Sequence, residues 1–224
     1  MKVVELLRES IRGKSIARIL FNWEVERRCQ NMRGLMIDLA CGYQPSYYRY
    51  WRIDPNGLIR VDYNRENRPD VIADLNIPLP FKDEVADYVF LFNAIYIFKE
   101  PENTLREIYR ILKNNGILYL SSPFVFNECP EPHDYYRFTS EKIIELLTEA
   151  GFGEIEITRL GERFSAAVHL VSPFIPKPLR FPFYFIAIFL DKIILWKNLS
   201  LAPCPVGYFC KAKKLTKKSK CNRP

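Results

Sequence analysis

The sequence lacks the patterns that mark disulfide-rich, zinc-binding, secreted or membrane-spanning proteins. Its six cysteines form no CxxC pair and follow no regular spacing, so we expect no metal site and no disulfide framework, but reduced thiols in a cytoplasmic protein. The longest uncharged apolar run near the C-terminus, 181–190, is much shorter than the roughly 20 residues of a bilayer span. Charged residues spread through the first 33 positions exclude a secretory signal.

The net charge of +7 does not indicate a nucleic-acid partner, because the excess is confined to the end of the chain. Residues 211–224 contain seven basic residues and no acidic one, and the 26 remaining basic residues balance 26 acidic ones. We expect 213–224 to form a disordered basic tail, which could contact an anionic surface or aid solubility. The basic residues of this segment are Lys211, Lys213, Lys214, Lys217, Lys218, Lys220 and Arg223.

Short apolar runs alternate with helical stretches over most of the chain, which is typical of βαβ units. We therefore predict an α/β, Rossmann-like three-layer sandwich: a helical segment 1–33, then a domain 34–212 interrupted by a hydrophobic insertion 161–200. Its mostly parallel, seven-stranded sheet would have an antiparallel last strand. The predicted strands are 34–39, 58–61, 71–73, 85–92, 117–120, 154–158 and 207–212.

Two helices of this pattern have recognisable ends. Pro101 favours a helix start before 102–112, and Asn114-Asn115-Gly116 supplies a left-handed stop. A second helix is predicted to begin at Ser140, whose hydroxyl can cap the free amides, and to end at Gly151.

Polar or small residues follow four successive predicted strands, at the edge of the sheet where such folds bind ligands. The first strand leads through Asp38 to Gly42, and the second ends in Asp62, twenty residues further on. The third leads to Asp74-Leu75 and the fourth to Asn93. A single strand-terminal Asp is often only a turn former, but the four together predict a binding site.

These residues resemble the class I S-adenosylmethionine-dependent methyltransferases, particularly those called type 11, over roughly 34–160. Ile37–Gly42 is similar to the first motif of that family, and Leu105–Leu118 is similar to its helix, turn and fifth strand. The resemblance implies S-adenosylmethionine as cofactor, with Asp62 on its ribose and Asp74-Leu75 beside its adenine. The residues implied in cofactor binding are Asp38, Ala40, Gly42, Asp62, Asp74, Leu75 and Asn93.

The sequence departs from this family at two points. Ala40 replaces the usual first glycine, which is compatible with the loop if its φ is negative. Ala94-Ile95 stands where many relatives carry an acidic residue and a histidine. A nicotinamide dehydrogenase also uses an Asp about 20 residues beyond a glycine loop, but GxGxxG is absent here, and a sulfonium cofactor has no pyrophosphate that would require it.

The segment 132–139 carries the densest cluster of polar and aromatic groups, and similar runs in type 11 relatives face the acceptor. His133 with Asp134 could remove a proton from the acceptor, since the pKa of histidine lies near neutrality. Tyr136 and Arg137 are predicted to contact the acceptor. Alternatively, His133 contacts the acceptor without proton transfer, or the segment only organises a loop. His169, on an apolar run, is interpreted as a core histidine.

The hydrophobic insertion and the basic tail are the two features of the sequence that could bind a membrane surface. Phe181–Trp196 followed by a cationic tail could bind anionic lipid at the inner face of the membrane, or it could cover the active site or form a dimer interface. We expect methyl transfer to a small or lipid-linked acceptor, such as a saccharide. The alternatives are a non-catalytic adenosyl-ligand binder and a nucleic-acid methyltransferase, the latter disfavoured because an Asn-Pro-Pro-aromatic motif is missing.

Overall fold

The computed structural model describes residues 2–53, 55–130, 133–196 and 202–216, and contains six helices and seven strands within them. The helices are α1 (Val3–Ile11), α2 (Ile16–Arg28), α3 (Pro101–Ile111), α4 (Ser140–Glu149), α5 (Arg163–Val171) and α6 (Arg180–Trp196). The strands are β1 (Met36–Leu39), β2 (Leu58–Asp62), β3 (Val71–Ile72), β4 (Ala86–Phe92), β5 (Leu112–Pro123), β6 (Gly153–Leu160) and β7 (Gly207–Lys213).

The strands form one seven-stranded sheet in the order β3-β2-β1-β4-β5-β7-β6. Strands β1 to β5 pair in parallel, and β7 runs antiparallel between β5 and β6. The predicted fold class is confirmed, including the antiparallel last strand. Because the chain order reverses between β1 and β4, the carboxyl ends of these two strands are the expected ligand-binding position.

The ends of two helices differ from the sequence prediction. Thr139, not Ser140, is the N-cap of α4, and its hydroxyl accepts a hydrogen bond from the amide of Lys142. Ser140 is already helical. Helix α3 ends at Ile111, and the chain enters β5 at once, so the predicted stop lies inside that strand, where Asn115 has a left-handed φ of 64°.

The two faces of the sheet bury different side chains. Along β4, Val89 and Leu91 enter an aliphatic core against α3 and α4, whereas Phe90 and Phe92 enter an aromatic core against α2. Alternate residues of a strand point to opposite faces, so one strand supplies both cores. The ring of Phe21 on α2 lies 5.0 Å from the ring of Phe92, which fixes α2 against the sheet beside the ends of β1 and β4.

The hydrophobic insertion folds back on the N-terminal helices. Tyr184 of α6 is fully buried against α1 and α2. Asp191 of α6 accepts hydrogen bonds from the amides of Glu162, Phe164 and Ser165 at the start of α5, and so satisfies donors that a helix start leaves free. Among the described helices, none has the length and apolar character needed to cross a bilayer.

The basic tail begins later than predicted. Lys213 is the last residue of β7, and Lys214 is 6% exposed, with its ammonium donating to the carbonyls of Tyr109 and Leu112 at the end of α3. These two lysines therefore belong to the folded part of the chain. The remaining tail cations, from Lys217 to Arg223, lie outside the described residues.

Candidate active site

Within the described part of the chain, a series of cavities runs from the carboxyl edge of the sheet toward the insertion. The large cavity, of about 600 Å³, is lined by residues that include Ala40, Tyr63, Asp74, Leu75, Ile97 and His133. The loop cavity, of about 330 Å³, is lined by Lys14, Arg18, the loop 40–47, Phe92 and Asn93. Ala40 lines both, so these two cavities form one cleft across the ends of β1, β2 and β4.

Asp62, at the end of β2, is 4% exposed and holds the loop 40–47 without lining either cavity. Its carboxylate accepts a hydrogen bond from the amide of Gly42 at 2.8 Å and another, on its other oxygen, from the amide of Asn64 at 2.9 Å. Each carboxylate oxygen has two lone pairs, so one acceptor position on each oxygen is available for a ribose hydroxyl. Gly42 has φ +68°, and a Cβ at this position would meet no atom within 4 Å, which leaves room for a ligand.

Ala40 adopts a conformation that the sequence analysis did not expect. Its φ is +52°, in the left-handed region that costs an L-residue roughly 1–2 kcal/mol. The condition that its φ be negative is therefore not met. The loop keeps the shape that a glycine would give it, with alanine under strain at the point where the large and loop cavities meet.

Asp74 and Leu75 line the large cavity as the resemblance implies. One carboxylate oxygen of Asp74 accepts from the amide of Asn76 at 2.9 Å, which leaves the other directed at no described donor. Leu75 is 6% exposed, and its carbonyl accepts from the hydroxyl of Thr104. A carboxylate and an apolar side chain on one wall suit the amino edge and the face of an adenine.

Asp38 lies beneath the cleft and lines neither the large cavity nor the loop cavity. It is fully buried, and one of its oxygens accepts from the hydroxyls of Tyr47 at 2.9 Å and Tyr48 at 2.7 Å. Its other oxygen has no partner among the described residues. Burial raises the pKa of Asp38 to about 7, although both tyrosine hydrogen bonds lower it. The residue supports the loop 40–47 from below.

The inner cavity, of about 210 Å³, opens from the same cleft. Its walls come from α2, the end of β5 and the start of β7, and include Ser15, Arg18, Phe21, Asn93, Tyr96, Ser122 and Phe126. Arg18 and Asn93 line both the inner cavity and the loop cavity. Asn93 follows β4 with a φ of +51°, so it sits between the two spaces.

The predicted acceptor segment is held by its own ion pair. Both oxygens of Asp134 contact the guanidinium of Arg137, and one also accepts from the amide of Cys129 at 2.8 Å. Arg137 lowers the pKa of Asp134. Arg137 also donates to the carbonyls of Asn127 and Tyr136, so these charges bind one another and the loop backbone.

His133 and Tyr136 occupy different surroundings. His133 is exposed and lines the large cavity, with its ring 5.4 Å from that of Tyr135. Asp134 accepts no described hydrogen bond from it. The Tyr136 hydroxyl donates to the carbonyl of Lys99 at 2.9 Å, and its ring stacks on Phe138. Pro132 lies outside the described residues.

His169, interpreted as a core histidine, lines the outer cavity of about 400 Å³. It is 7% exposed, its ring lies 5.0 Å from Phe126, and its Nδ1 has no described partner. Burial lowers its pKa. Ser15 and Phe126 line both the inner and outer cavities, so the series of cavities continues toward the insertion.

The sequence analysis missed several lining residues, among them Tyr63, Lys14 and Arg18. Tyr63 lines the large cavity and directly follows Asp62, so its position in the second motif could have identified it. Lys14 and Arg18 line the loop cavity. They precede the first strand by 18 residues or more, and no local pattern shows that α2 packs over this edge.

The matches with known proteins agree with this geometry. A family model described as a methyltransferase domain matches residues 37–120. An uncharacterized protein of Methanocaldococcus jannaschii is 28% identical over 163 residues, which make up 63% of this chain and 76% of that protein.

Two solved structures show the same fold. A methyltransferase from Archaeoglobus fulgidus, described as dependent on S-adenosylmethionine, has a TM-score of 0.56 and 17% identity, with 94% of this chain and 99% of that chain covered. Phosphoethanolamine N-methyltransferase 2 of Haemonchus contortus, solved with S-adenosyl-L-methionine, has a TM-score of 0.54 and 18% identity over 88% of this chain. This chain spans 52% of the nematode protein. Residues 37–120 therefore match the model of a methyltransferase domain, and the chain shares its fold with these two structures.

Proposed function

We propose that the protein transfers the methyl group of S-adenosylmethionine to a small or lipid-linked acceptor bound in the inner cavity. The observation that carries this proposal is the shared wall between cavities. Arg18 and Asn93 line both the loop cavity, which suits the methionine part of the cofactor, and the inner cavity. A cofactor in the first and an acceptor in the second would meet at this wall.

The residues present fit the cofactor. Asp62 retains acceptor positions for both ribose hydroxyls, Asp74 and Leu75 suit the adenine, and Gly42 leaves open space for the methionine part. When bound, S-adenosylmethionine supplies a methyl group on a positively charged sulfur, for in-line displacement by the acceptor atom. The protein then has to align the acceptor and exclude water, and alignment alone can supply much of the rate acceleration.

The position of His133 favours a role in closing the cofactor cleft over that of a base. It lines the large cavity beside Asp74 and Tyr63 and does not line the inner cavity. Asp134, its predicted partner, is occupied by Arg137. We therefore assign Asp134, Tyr136 and Arg137 to holding the loop after β5. Proton removal by His133 remains a prediction that its variant tests, as described below.

Calorimetric titration with S-adenosylhomocysteine and NAD tests the cofactor half of the proposal. We expect binding of the first and none of the second. Methyl transfer from labelled S-adenosylmethionine to a panel of small alcohols, phenols, amines and lipid extracts tests the other half. Binding of S-adenosylhomocysteine without transfer to any of them would favour the non-catalytic alternative.

A lipid-linked acceptor is favoured by the surface of the insertion. The outer side of 164–189 exposes large apolar side chains: Phe164, Leu170, Val171, Phe174, Leu179, Phe183, Ile186 and Phe189. Phe174 is 87% exposed. So many exposed large apolar side chains within one segment favour an interaction site there.

The charges on the same segment indicate what the apolar side chains contact. Arg163, Lys177 and Lys192 are exposed, whereas the acidic residues of the segment, Glu162 and Asp191, are each 4% exposed. We propose that this face docks on an anionic lipid surface, since apolar insertion and nearby cations both contribute to such binding.

Sedimentation with vesicles tests this docking. The protein should pellet with phosphatidylglycerol vesicles at low salt more than with phosphatidylcholine vesicles, and moderate salt should release it. Phe174→Ser with Phe183→Ser, and separately Lys177→Glu, should weaken the association, whereas Lys142→Glu on α4 should not. Removal of the chain after Thr216 leaves Lys213 and Lys214 in place and measures the contribution of the tail. No sedimentation of the intact protein would favour a lid or dimer surface.

A further inference from the structure

The guanidinium of Arg18 is a charge without a described partner at the boundary of the cofactor and acceptor spaces. Its backbone amide donates to Ser15, but its side chain makes no hydrogen bond or ion pair within the described part of the chain. It lies over the ring of Phe21, 5.8 Å from its centroid. Arg18 is half-buried, and an arginine is seldom withdrawn from water without a partner, because the cost of removing its charge from water is then not offset.

The surroundings of Arg18 make the missing partner an anion. Burial lowers the pKa of its guanidinium, and the neighbouring side chains are the neutral hydroxyls of Tyr47 and Tyr96. Among the described residues that line the inner cavity, Arg18 carries the single charge. The other walls are apolar or aromatic, apart from the hydroxyls, an amide and a thiol.

Two anions could occupy this position, namely the carboxylate of the cofactor and an anionic group of the acceptor. The loop cavity already has its own cation, because Lys14 lines it and makes no ion pair with a described residue. Arg18 lines both cavities and neighbours Tyr47 as well as Tyr96, but its guanidinium lies over Phe21, which lines the inner cavity and not the loop cavity. The geometry therefore assigns Lys14 to the cofactor side and Arg18 to the acceptor side.

We propose that Arg18 binds a phosphate or carboxylate group of the methyl acceptor in the inner cavity. This inference rests on the proposed function, and it adds that the acceptor carries an anionic group next to a portion that contacts Phe21, Tyr96 and Phe126. The planar guanidinium can donate two parallel hydrogen bonds to such a group.

The test uses the full chain saturated with S-adenosylhomocysteine, with phenyl phosphate and benzyl alcohol as probes. Saturation is established first by calorimetry, and failure at that step would count against the proposed function, not against the role of Arg18. Phenyl phosphate should bind at least about tenfold more tightly than benzyl alcohol, as expected for hydrogen bonds to a charged group. Equal affinities, or no binding of phenyl phosphate, would overturn the inference.

Variants locate the source of this preference. Arg18→Met should bring the two probe affinities to within about twofold of each other, since the fork of donors is lost, and Arg18→Lys should keep part of the preference. Arg27→Met, on the same helix but paired with Glu24, should keep all of it. Circular dichroism verifies that each variant folds.

A further pair of titrations separates the two anions. If Arg18 serves the acceptor, Arg18→Met should leave the affinities for S-adenosylhomocysteine and for 5′-methylthioadenosine, which lacks the carboxylate, unchanged. If Arg18 serves the cofactor, the variant should weaken S-adenosylhomocysteine alone. That second result, with the preference for phenyl phosphate retained, would overturn the inference.

Discussion

The cofactor side and the acceptor side of the cleft are built from different kinds of element. The large and loop cavities are formed mainly by residues that directly follow β1, β2, β3 and β4, with backbone amides and carboxylates as their polar groups. The inner and outer cavities take walls from α2, α5 and the segment around Phe126. Parallel pairing by itself places the carboxyl ends of the strands at one edge of the sheet, whereas helices can pack over that edge in many ways.

Because the two sides are built from different elements, a variant on one side should affect the ligand of that side alone. Changes after β1 and β2 should act on cofactor affinity, and changes on α2 and α5 should act on the acceptor. If a variant changed the affinity for the ligand of the other side, the boundary between the cofactor and acceptor spaces would not lie at Arg18 and Asn93.

Gly42→Val should have the largest effect. The new side chain would enter the open space that the cofactor needs, at a residue whose φ is +68°, so we expect no measurable binding of S-adenosylhomocysteine by calorimetry. Gly42→Ala has the same backbone strain with a smaller side chain, and should bind weakly. Normal affinity in the valine variant would contradict the interpretation of the loop.

Asp62→Ala should weaken S-adenosylhomocysteine binding by about 2–3 kcal/mol, since two hydroxyls lose a charged acceptor. The carboxylate also holds the amides of Gly42 and Asn64, so part of the loss should come from a looser loop. Asp70→Ala is the control, because Asp70 pairs with Arg60 and does not line the cleft. Unchanged affinity in Asp62→Ala would exclude the ribose role.

Asp38, which lies beneath the cofactor side of the cleft, should make the stability of the protein depend on pH. Its pKa of about 7 in the folded state lies above its ordinary value of 3.8. Between about pH 4 and pH 7 the folded state therefore keeps a proton that the unfolded chain has already released. The free energy of unfolding falls as the pH rises through that window. From pH 5 to pH 8 the free energy of unfolding should decrease by about 2–3 kcal/mol relative to Asp38→Asn. Urea denaturation at both pH values measures this, and parallel behaviour of the two proteins would contradict the burial argument.

His133→Ala distinguishes a role of His133 in closing the large cavity from a role as a base. If His133 closes the large cavity, the variant should weaken cofactor binding and lower kcat by less than about tenfold. A loss of about 10²–10⁴-fold in kcat with intact cofactor affinity, and a wild-type rate that rises with pH near the histidine pKa, would establish the base role.

Ala40→Gly should have the smallest effect, and in the opposite direction. Glycine adopts φ +52° without strain, so we expect the free energy of unfolding to rise by about 1 kcal/mol. Ala73→Gly, at a residue without a positive φ, should instead lower it. A less stable Ala40→Gly variant would show that the strain is compensated by contacts of the methyl group.

The sequence predicted the cofactor side of the cleft better than the acceptor side. Asp74 and Asn93 line the cleft and Asp62 holds its loop, at strand ends whose positions follow from strand periodicity and chain order. Arg18 could not be predicted in this way, since its position depends on how Phe21 packs against Phe92 across the sheet. The loop after β5 shows the same limit: its residues left catalysis, acceptor contact and loop organisation open, and the structure pairs Asp134 with Arg137.

The placement of β7 has a consequence for the order in which the protein is made. Strand β6 pairs only with β7 in this sheet, and β7, which ends at residue 213, lies between β5 and β6. A ribosome synthesises the chain from its N-terminus, so β6 has no neighbour in the sheet until β7 has also emerged. Val206 and Gly207, which line the inner cavity, emerge with β7. We therefore expect the acceptor space to be completed later than the cofactor edge of β1 to β4.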